Sequence, residues 1–402
     1  MSEMATTHPD ARELATGAEV VEPTVAGLAA MAHWAPEGGV LSVLGDAPTG
    51  GAGDEARIAI RNDIAALTRR VHDDGRRETR TALAEVLARH GAAIDAVTRA
   101  EAGAGLGRAL FLPLDGGPGR VLATQCALPA QASLAPLARL GPLVRAGTVH
   151  RAIGLILAAA DRLEVTTVAM GVADRLADWE VTGLTDGRER RGPARANPGR
   201  AQHSVTHVER HDAHIADQRR RALAPLVQRA AGLAGGAGWV HVIVAGDPGV
   251  AEEVADGLRA AGLDGCTVVH SDLAGESAGR QADGLAVPIA AVRSEWARAA
   301  VDRALEGAAS GGRGAVGLDA VLPALAEGRV ARLLLSAAGD APGWRAPDGR
   351  PLTTPADGAA SVPSLHDVMT ARAIATDAEV LIPDGDAEER LADVAVAAEL
   401  RW

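Results

Sequence analysis

Residues 239–270 read WVHVIVAGDPGVAEEVADGLRAAGLDGCTVVH, and this stretch decides the fold class. Trp239–Ala245 is an apolar, β-branched run of the buried-strand type. Asp247-Pro248 then opens a helix that continues through Ala261, and Cys266–His270 is a second strand. Strand, helix and strand joined by short turns predict an α/β protein with a mixed or doubly wound sheet. Gly246-Asp247-Pro248-Gly249 follows a strand and opens a helix, a place where a phosphate can sit. It lacks the G-x-G-x-x-G spacing, and Pro248 removes one amide donor, so it reads as an ordinary β–α turn.

Working outward, Ala152–Ala159, Leu163–Met170 and Ala177–Gly183 read as three consecutive strands, with turns near Asp161-Arg162 and Asp174-Arg175. A Pro/Gly/Arg-rich loop from Arg188 to Arg200 leads into a long helix over 202–233, which Pro225 is expected to kink or split. Together these make a middle domain over 150–286.

Residues 1–22 read as a polar tail, with acids and no apolar run of a signal peptide. Residues 23–149 form an N-terminal α/β domain. It has a strand at Gly39–Leu44, a Gly-rich loop, a helix from Glu55 to Val71, and a second helix from Glu78 to His90 that stops at Gly91. Strands Arg108–Leu114 and Arg120–Ala127 pair through the turn Asp115-Gly116-Gly117-Pro118-Gly119.

The last domain, 287–402, starts with an amphipathic helix over 290–309. A Gly-rich turn, helix Gly317–Glu327 and strand Val330–Ser336 follow. Residues 337–363 are expected to be an exposed loop. Helix Leu365–Thr376, strand Glu379–Ile382, a helix after Asp386 and a closing strand Val394–Arg401 complete it.

The composition narrows the chemistry. The 402 residues are 47% apolar, enough for sizeable cores, and carry a formal charge of −12, which excludes a wholly basic nucleic-acid-coating protein. Cys126 and Cys266 stand far apart and suggest neither a disulfide framework nor a metal site, which fits a cytoplasmic protein. No stretch reads as a membrane span. There is no Lys and no Tyr, and Phe111 is the one Phe. That bias reads as a high-GC bacterial genome. Every cationic contact must therefore come from Arg or protonated His.

Against this acidic background, residues 188–221 hold nine Arg and four acids. Arg188, Arg190, Arg191, Arg195, Arg200 and Arg210 are candidate phosphate contacts, because guanidinium forks match phosphate oxygens. Asn197, Gly199, Gln202, His203, His207 and His211 join them as candidate RNA-binding residues, since imidazoles stack on bases or donate to phosphates. His203, His207, His211 and His214 span an arc of about 80° on one helix face. With no Cys nearby and no carboxylate to complete a site, no metal is expected there. The Gly311–Gly314 turn lacks the Lys of a P-loop, no G-x-S-x-G or HExxH is present, and no cofactor is expected.

GAVGLDAVLPALAEGRVARLLL at 314–335 resembles the helix–strand signature of the third domain of archaeal and eukaryotic class 1 release factors and Pelota. VAAELRW at 396–402 is similar to the closing strand of that family. Val40-Leu41-Ser42-Val43-Leu44 followed by a helix resembles its bacterial branch, the Balon-type ribosome hibernation factors. The resemblance implies a three-domain release-factor-like architecture with mixed or doubly wound sheets. It also implies a stress-response role as a ribosome hibernation factor in the A site, contacting 23S rRNA, with elongation factor Tu as a possible partner and neither DNA nor membrane as one. True release factors carry Gly-Gly-Gln in the middle domain. The matching stretch here is Asn197-Pro198-Gly199-Arg200-Ala201-Gln202-His203-Ser204, where Arg200 and Ala201 replace the glycines. That departure favours binding over catalysis and leaves Gln202 as the one weak catalytic candidate. Two alternatives stay open: a peptidyl-tRNA or aminoacyl-ester hydrolase using Gln202, and a stress-linked scaffold whose basic helix binds an acidic protein.

Overall fold

The computed structural model describes residues 18–47, 53–99, 106–181 and 204–402, with backbone alone for 204–216. The chain packs as two compact units, Met1–His150 with Ser294–Trp402, and Arg151–Arg293. Helices and strands are interspersed along the chain, and the three larger sheets are mixed, as an α/β reading requires.

In the first unit, one sheet has the order β1 (Ala18–Val20), β4 (Gly119–Thr124), β3 (Gly107–Pro113), β2 (Val40–Asp46), β5 (Gln131–Ala135). β1 runs parallel to β4, and the other pairs are antiparallel. The β3–β4 turn is the expected one. The Asp115 carboxylate accepts the Gly117 N–H at 2.9 Å while Gly116 takes a φ of 81°. β2 is buried along nearly its whole length, which explains its unbroken apolar run. Leu41 and Val43 meet Ile60 and Leu67 of helix Gly53–Asp74, and Leu83, Val86 and Ile94 of helix Arg77–Ala96.

The second sheet of this unit has the order β11 (Gly314–Val316), β17 (Val396–Leu400), β12 (Val330–Leu335), β16 (Glu379–Leu381). Leu333, Leu335, Val396 and Ala398 face helices Leu318–Ala326 and Leu365–Ala375. Leu334, Leu381 and Ala397 face Ala300, Val301, Ala304 and Leu391. Two glycines frame helix Leu318–Ala326: Gly317 at its N-cap with φ 79° and Gly328 after it with φ 70°. The Arg329 N–H donates to Ala324 O at 2.9 Å and the Gly328 N–H to Leu325 O at 3.2 Å. That paired termination turns the chain sharply into β12.

The other unit holds the opening stretch. Its sheet has the order β10 (Cys266–His270), β9 (Val242–Gly246), β6 (Ile153–Ala158), β7 (Arg162–Ala169), β8 (Val172–Glu180). β6, β7 and β8 form an antiparallel meander, while β9 and β10 run parallel to β6. Helix Pro248–Ala260 makes the β9–β10 crossover, as anticipated. Side chains alternate between two cores. Ile156, Val242 and Val244 pack against that helix and against Leu223, Val227 and Ala230 of helix Ser204–Ala237. Leu155, Leu157, Ile243 and Ala245 pack against Leu285 and Ile289 on the opposite face.

Several expectations need correction. The helix expected to stop at Gly91 continues to Ala96, because Ile94 adds one more buried position and nothing crowds Gly91. Pro225 does not split helix Ser204–Ala237. Leu223, Leu226, Val227 and Ala230 are buried on both sides of it and hold the helix to the sheet. The third strand of the meander is Val172–Glu180, earlier than expected. Met170 and Gly171, with φ 49° and 77°, make a two-residue turn whose twist matches the strands. The expected tail contains strand Ala18–Val20, and helix Val25–Ala32 follows it. Residues 337–363 hold a small sheet of β13 (Gly343–Arg345) flanked by β14 (Pro351–Leu352) and β15 (Ala360–Val362). Helix Gly141–Val149 was also unforeseen.

Candidate functional site

Arg188, Arg190, Arg191, Arg195, Asn197, Gly199, Arg200, Gln202 and His203 lie outside the described residues. His207, Arg210 and His211 fall on the backbone of helix Ser204–Ala237, and their side chains lie outside the described ones.

The described end of the basic segment shows what its arginines do. Arg219 makes a two-pronged contact with Glu253, Nε to Oε2 at 2.9 Å and Nη2 to Oε1 at 2.7 Å. The hydrogen bond to Glu253 raises the guanidinium above its ordinary value, against a smaller opposing effect of burial. This pair joins helix Ser204–Ala237 to helix Pro248–Ala260. Arg221 pairs with Asp217 one turn earlier, at 2.7 Å. Two of the nine arginines are therefore spoken for within the chain. Arg220 is exposed and has no carboxylate partner among the described residues.

A second cationic group emerges in the other unit. Helices Gly53–Asp74 and Arg77–Ala96 form a hairpin joined at Gly75-Arg76. Arg69, Arg70, Arg76 and Arg77 are exposed around the connection, and none has an ion-pair partner among the described residues. Arg80 instead caps the first helix, donating to His72 O at 3.2 Å. Cations at the end of the first helix suit its dipole. Arg76 and Arg77 at the start of the next one oppose it. Helix stability alone favours acids there, and Glu78 in the first turn supplies one. The signal was the doubled arginines on either side of a glycine turn, which otherwise read as a solvated helix face.

A cavity of about 420 Å³ lies in the same unit. Arg139, Arg145, Asp340, His366, Asp367 and Asp384 line it, with Pro142, Ala146 and Ile382 among its apolar contacts. Arg139 reaches two carboxylates, Asp367 at 3.2 Å and Asp340 at 3.6 Å. The Gly141 N–H donates to Asp367 Oδ1 at 3.1 Å. None of these residues was singled out from the sequence, because they lie far apart along the chain and form no local motif.

Among the described residues, no three His, Cys, Asp or Glu side chains come close enough to hold a metal ion, and no helix is long and apolar enough to cross a membrane.

No protein family matches the sequence, and no curated protein does. Solved structures offer distant likenesses. The archaeal translation termination factor aRF1 is 16% identical, with 98% of each chain covered and a TM-score of 0.25. Pelota from Archaeoglobus fulgidus is 15% identical over 73% of this chain and 79% of its own, at 0.30. A ribosome-bound archaeal Pelota, described together with ABCE1, is 16% identical over 74% and 77%, at 0.38.

Proposed function

We propose that the chain is a ribosome-associated translation factor of the release-factor and Pelota kind, divided in chain order into domains at 23–149, 150–286 and 287–402. It binds in the A site as a cytoplasmic hibernation factor and contacts 23S rRNA through residues 188–211, without catalysing hydrolysis. Elongation factor Tu is its proposed delivery partner.

One observation carries the reading. An Arg-rich segment in a chain of charge −12 leads directly into a 34-residue helix. The far part of that helix is fixed to its own unit by the Arg219–Glu253 pair and the buried Leu223, Val227 and Ala230. A cationic segment on an anchored helix suits a polyanion that is itself structured.

Replacing Arg195, Arg200 and Arg210 together with Ala is expected to abolish cosedimentation with ribosomes at low salt. Binding by the unaltered protein should weaken steeply as salt rises, and the variant should show a shallower slope. Unchanged cosedimentation rules the reading out. Arg69, Arg70, Arg76 and Arg77 serve as a second phosphate-contacting surface. Their joint replacement by Ala is expected to lower affinity by about ten-fold or more without altering stability, at about 1 kcal/mol or less per lost contact. Matched thermal melts and ribosome-binding isotherms check both halves of that expectation.

A further inference from the structure

The cavity of about 420 Å³ draws its lining from two parts of the chain that are distant in sequence, residues 127–150 and residues 337–384. The two parts differ in chemistry. The first contributes Gln131, Arg139 and Arg145, an amide and two guanidinium groups. The second contributes Asp340, Asp367 and Asp384, three carboxylates. His150 and His366 stand one on each part, and Pro142, Ala146 and Ile382 add aliphatic surface.

Some of that charge is already engaged. Arg139 lies 3.2 Å from Asp367 and 3.6 Å from Asp340, and the Gly141 N–H donates to Asp367 Oδ1 at 3.1 Å. These contacts hold the two parts of the lining together. A cation and an anion are left over. Arg145 projects from helix Gly141–Val149, and Asp384 is the N-cap of helix Gly385–Ala392. Both are exposed, both line the cavity, and neither has a partner among the described residues. They do not pair with each other. An Asp at an N-cap ordinarily accepts a backbone N–H from the first turn, and Asp384 makes no such bond. Gln131 Nε2 and Arg139 Nε are buried with no acceptor among the described residues. Buried donors of this kind cost free energy until an acceptor oxygen reaches them.

We propose that this cavity binds a free aliphatic amino acid. The ligand carboxylate faces Arg145 and offers its oxygens to the open donors of Gln131 and Arg139. The ligand ammonium faces Asp384, and the hydrocarbon side chain rests on Pro142, Ala146 and Ile382. The charges select a zwitterion. A simple anion would meet three carboxylates, and a simple cation would leave Arg145 and the two buried donors without a partner. The apolar lining carries no aromatic ring, which suits a branched hydrocarbon side chain. The site lies in the other unit from residues 188–211, so it does not rest on the ribosomal reading.

Calorimetric titration of the full-length protein with L-leucine, L-isoleucine and L-valine tests this. At least one is expected to bind saturably. R145Q and D384N should each weaken that binding about ten-fold, since each removes a charged contact to the ligand. Thermal melts of the free variants should match that of the unaltered protein, because neither side chain has a partner to lose. The N-acetyl and amide forms of the amino acid that binds read the same contacts on the unaltered chain. The acetylated form keeps only the carboxylate, as a peptide C-terminus does, and the amide keeps only the ammonium, as a peptide N-terminus does. Each should bind about ten-fold more weakly than the free amino acid. Absence of saturable binding by all three amino acids, an affinity unchanged in R145Q or D384N, or a blocked form that binds as well as the free one overturns the proposal.

Discussion

Glu164→Ala is expected to destabilise the 151–293 unit by about 3 kcal/mol, read as a lower denaturation midpoint in urea. Glu164 is fully buried on β7. Its carboxylate accepts from the Gly275 N–H at 2.8 Å and from Gln281 Nε2 at 2.5 Å, and it pairs with Arg175 at 3.0 Å and Arg162 at 3.3 Å. Gln281 is itself fully buried and accepts from the Thr166 hydroxyl at 3.1 Å. Removing the carboxylate takes the nearest acceptor from Gln281 Nε2, which keeps Glu276 O at 3.1 Å, and leaves a void at a fully buried position. The expected loss lies at the low end for a broken buried pair, because Arg162 and Arg175 remain 40% and 28% exposed and can rehydrate. Glu164→Gln keeps the shape and one acceptor, so it should cost less than half as much. A midpoint unchanged in Glu164→Ala would show that the carboxylate does not hold segment 271–284 to the sheet.

Gly246→Ala is expected to cost about 3 kcal/mol as well, by a different route. Gly246 ends β9 with φ 134°, which side-chain-bearing residues rarely adopt. A Cβ there would stand 2.1 Å from the carbonyl oxygen of Ala158 on the neighbouring strand. That atom is backbone paired within the sheet, so it cannot swing aside as a side chain could. The β6–β9 register must shift, and thermal unfolding should move down accordingly. Gly262→Ala is the control. It also has positive φ, at 91°, but nothing lies near its would-be Cβ, so only the backbone strain remains.

The fold was legible where periodicity and turn chemistry agreed. Trp239–His270 announced its parallel crossover because a continuous apolar strand, a Pro-started helix and a second β-branched strand admit few arrangements. The Asp115–Gly119 hairpin was equally plain. Legibility failed where local signals were weak or misleading. Gly91 reads as a stop, yet Ile94 outweighs it by burial. The three strands within 337–363 are two or three residues each and sit among Pro, Gly and Asp. The candidate sites divide the same way. Counting charges found segment 188–221, but counting could not tell that Arg219 and Arg221 have intramolecular carboxylates. Glu164 gives no local sign of its role, since its partner Gln281 is 117 residues away. Arg139 and Asp367 are 228 residues apart, and no local pattern joins them.

Among the described residues β8 is the terminal strand of its sheet, and one row of its peptide groups faces no described strand. Such a rim invites another copy to add on and extend the ribbon indefinitely. Asp174, Arg175, Asp178 and Glu180 are spaced along it, which makes stacking of identical rims electrostatically unfavourable at neutral pH. Two such rims brought side by side would set like charges against one another, so the ribbon is blunted by charge rather than by a covering segment.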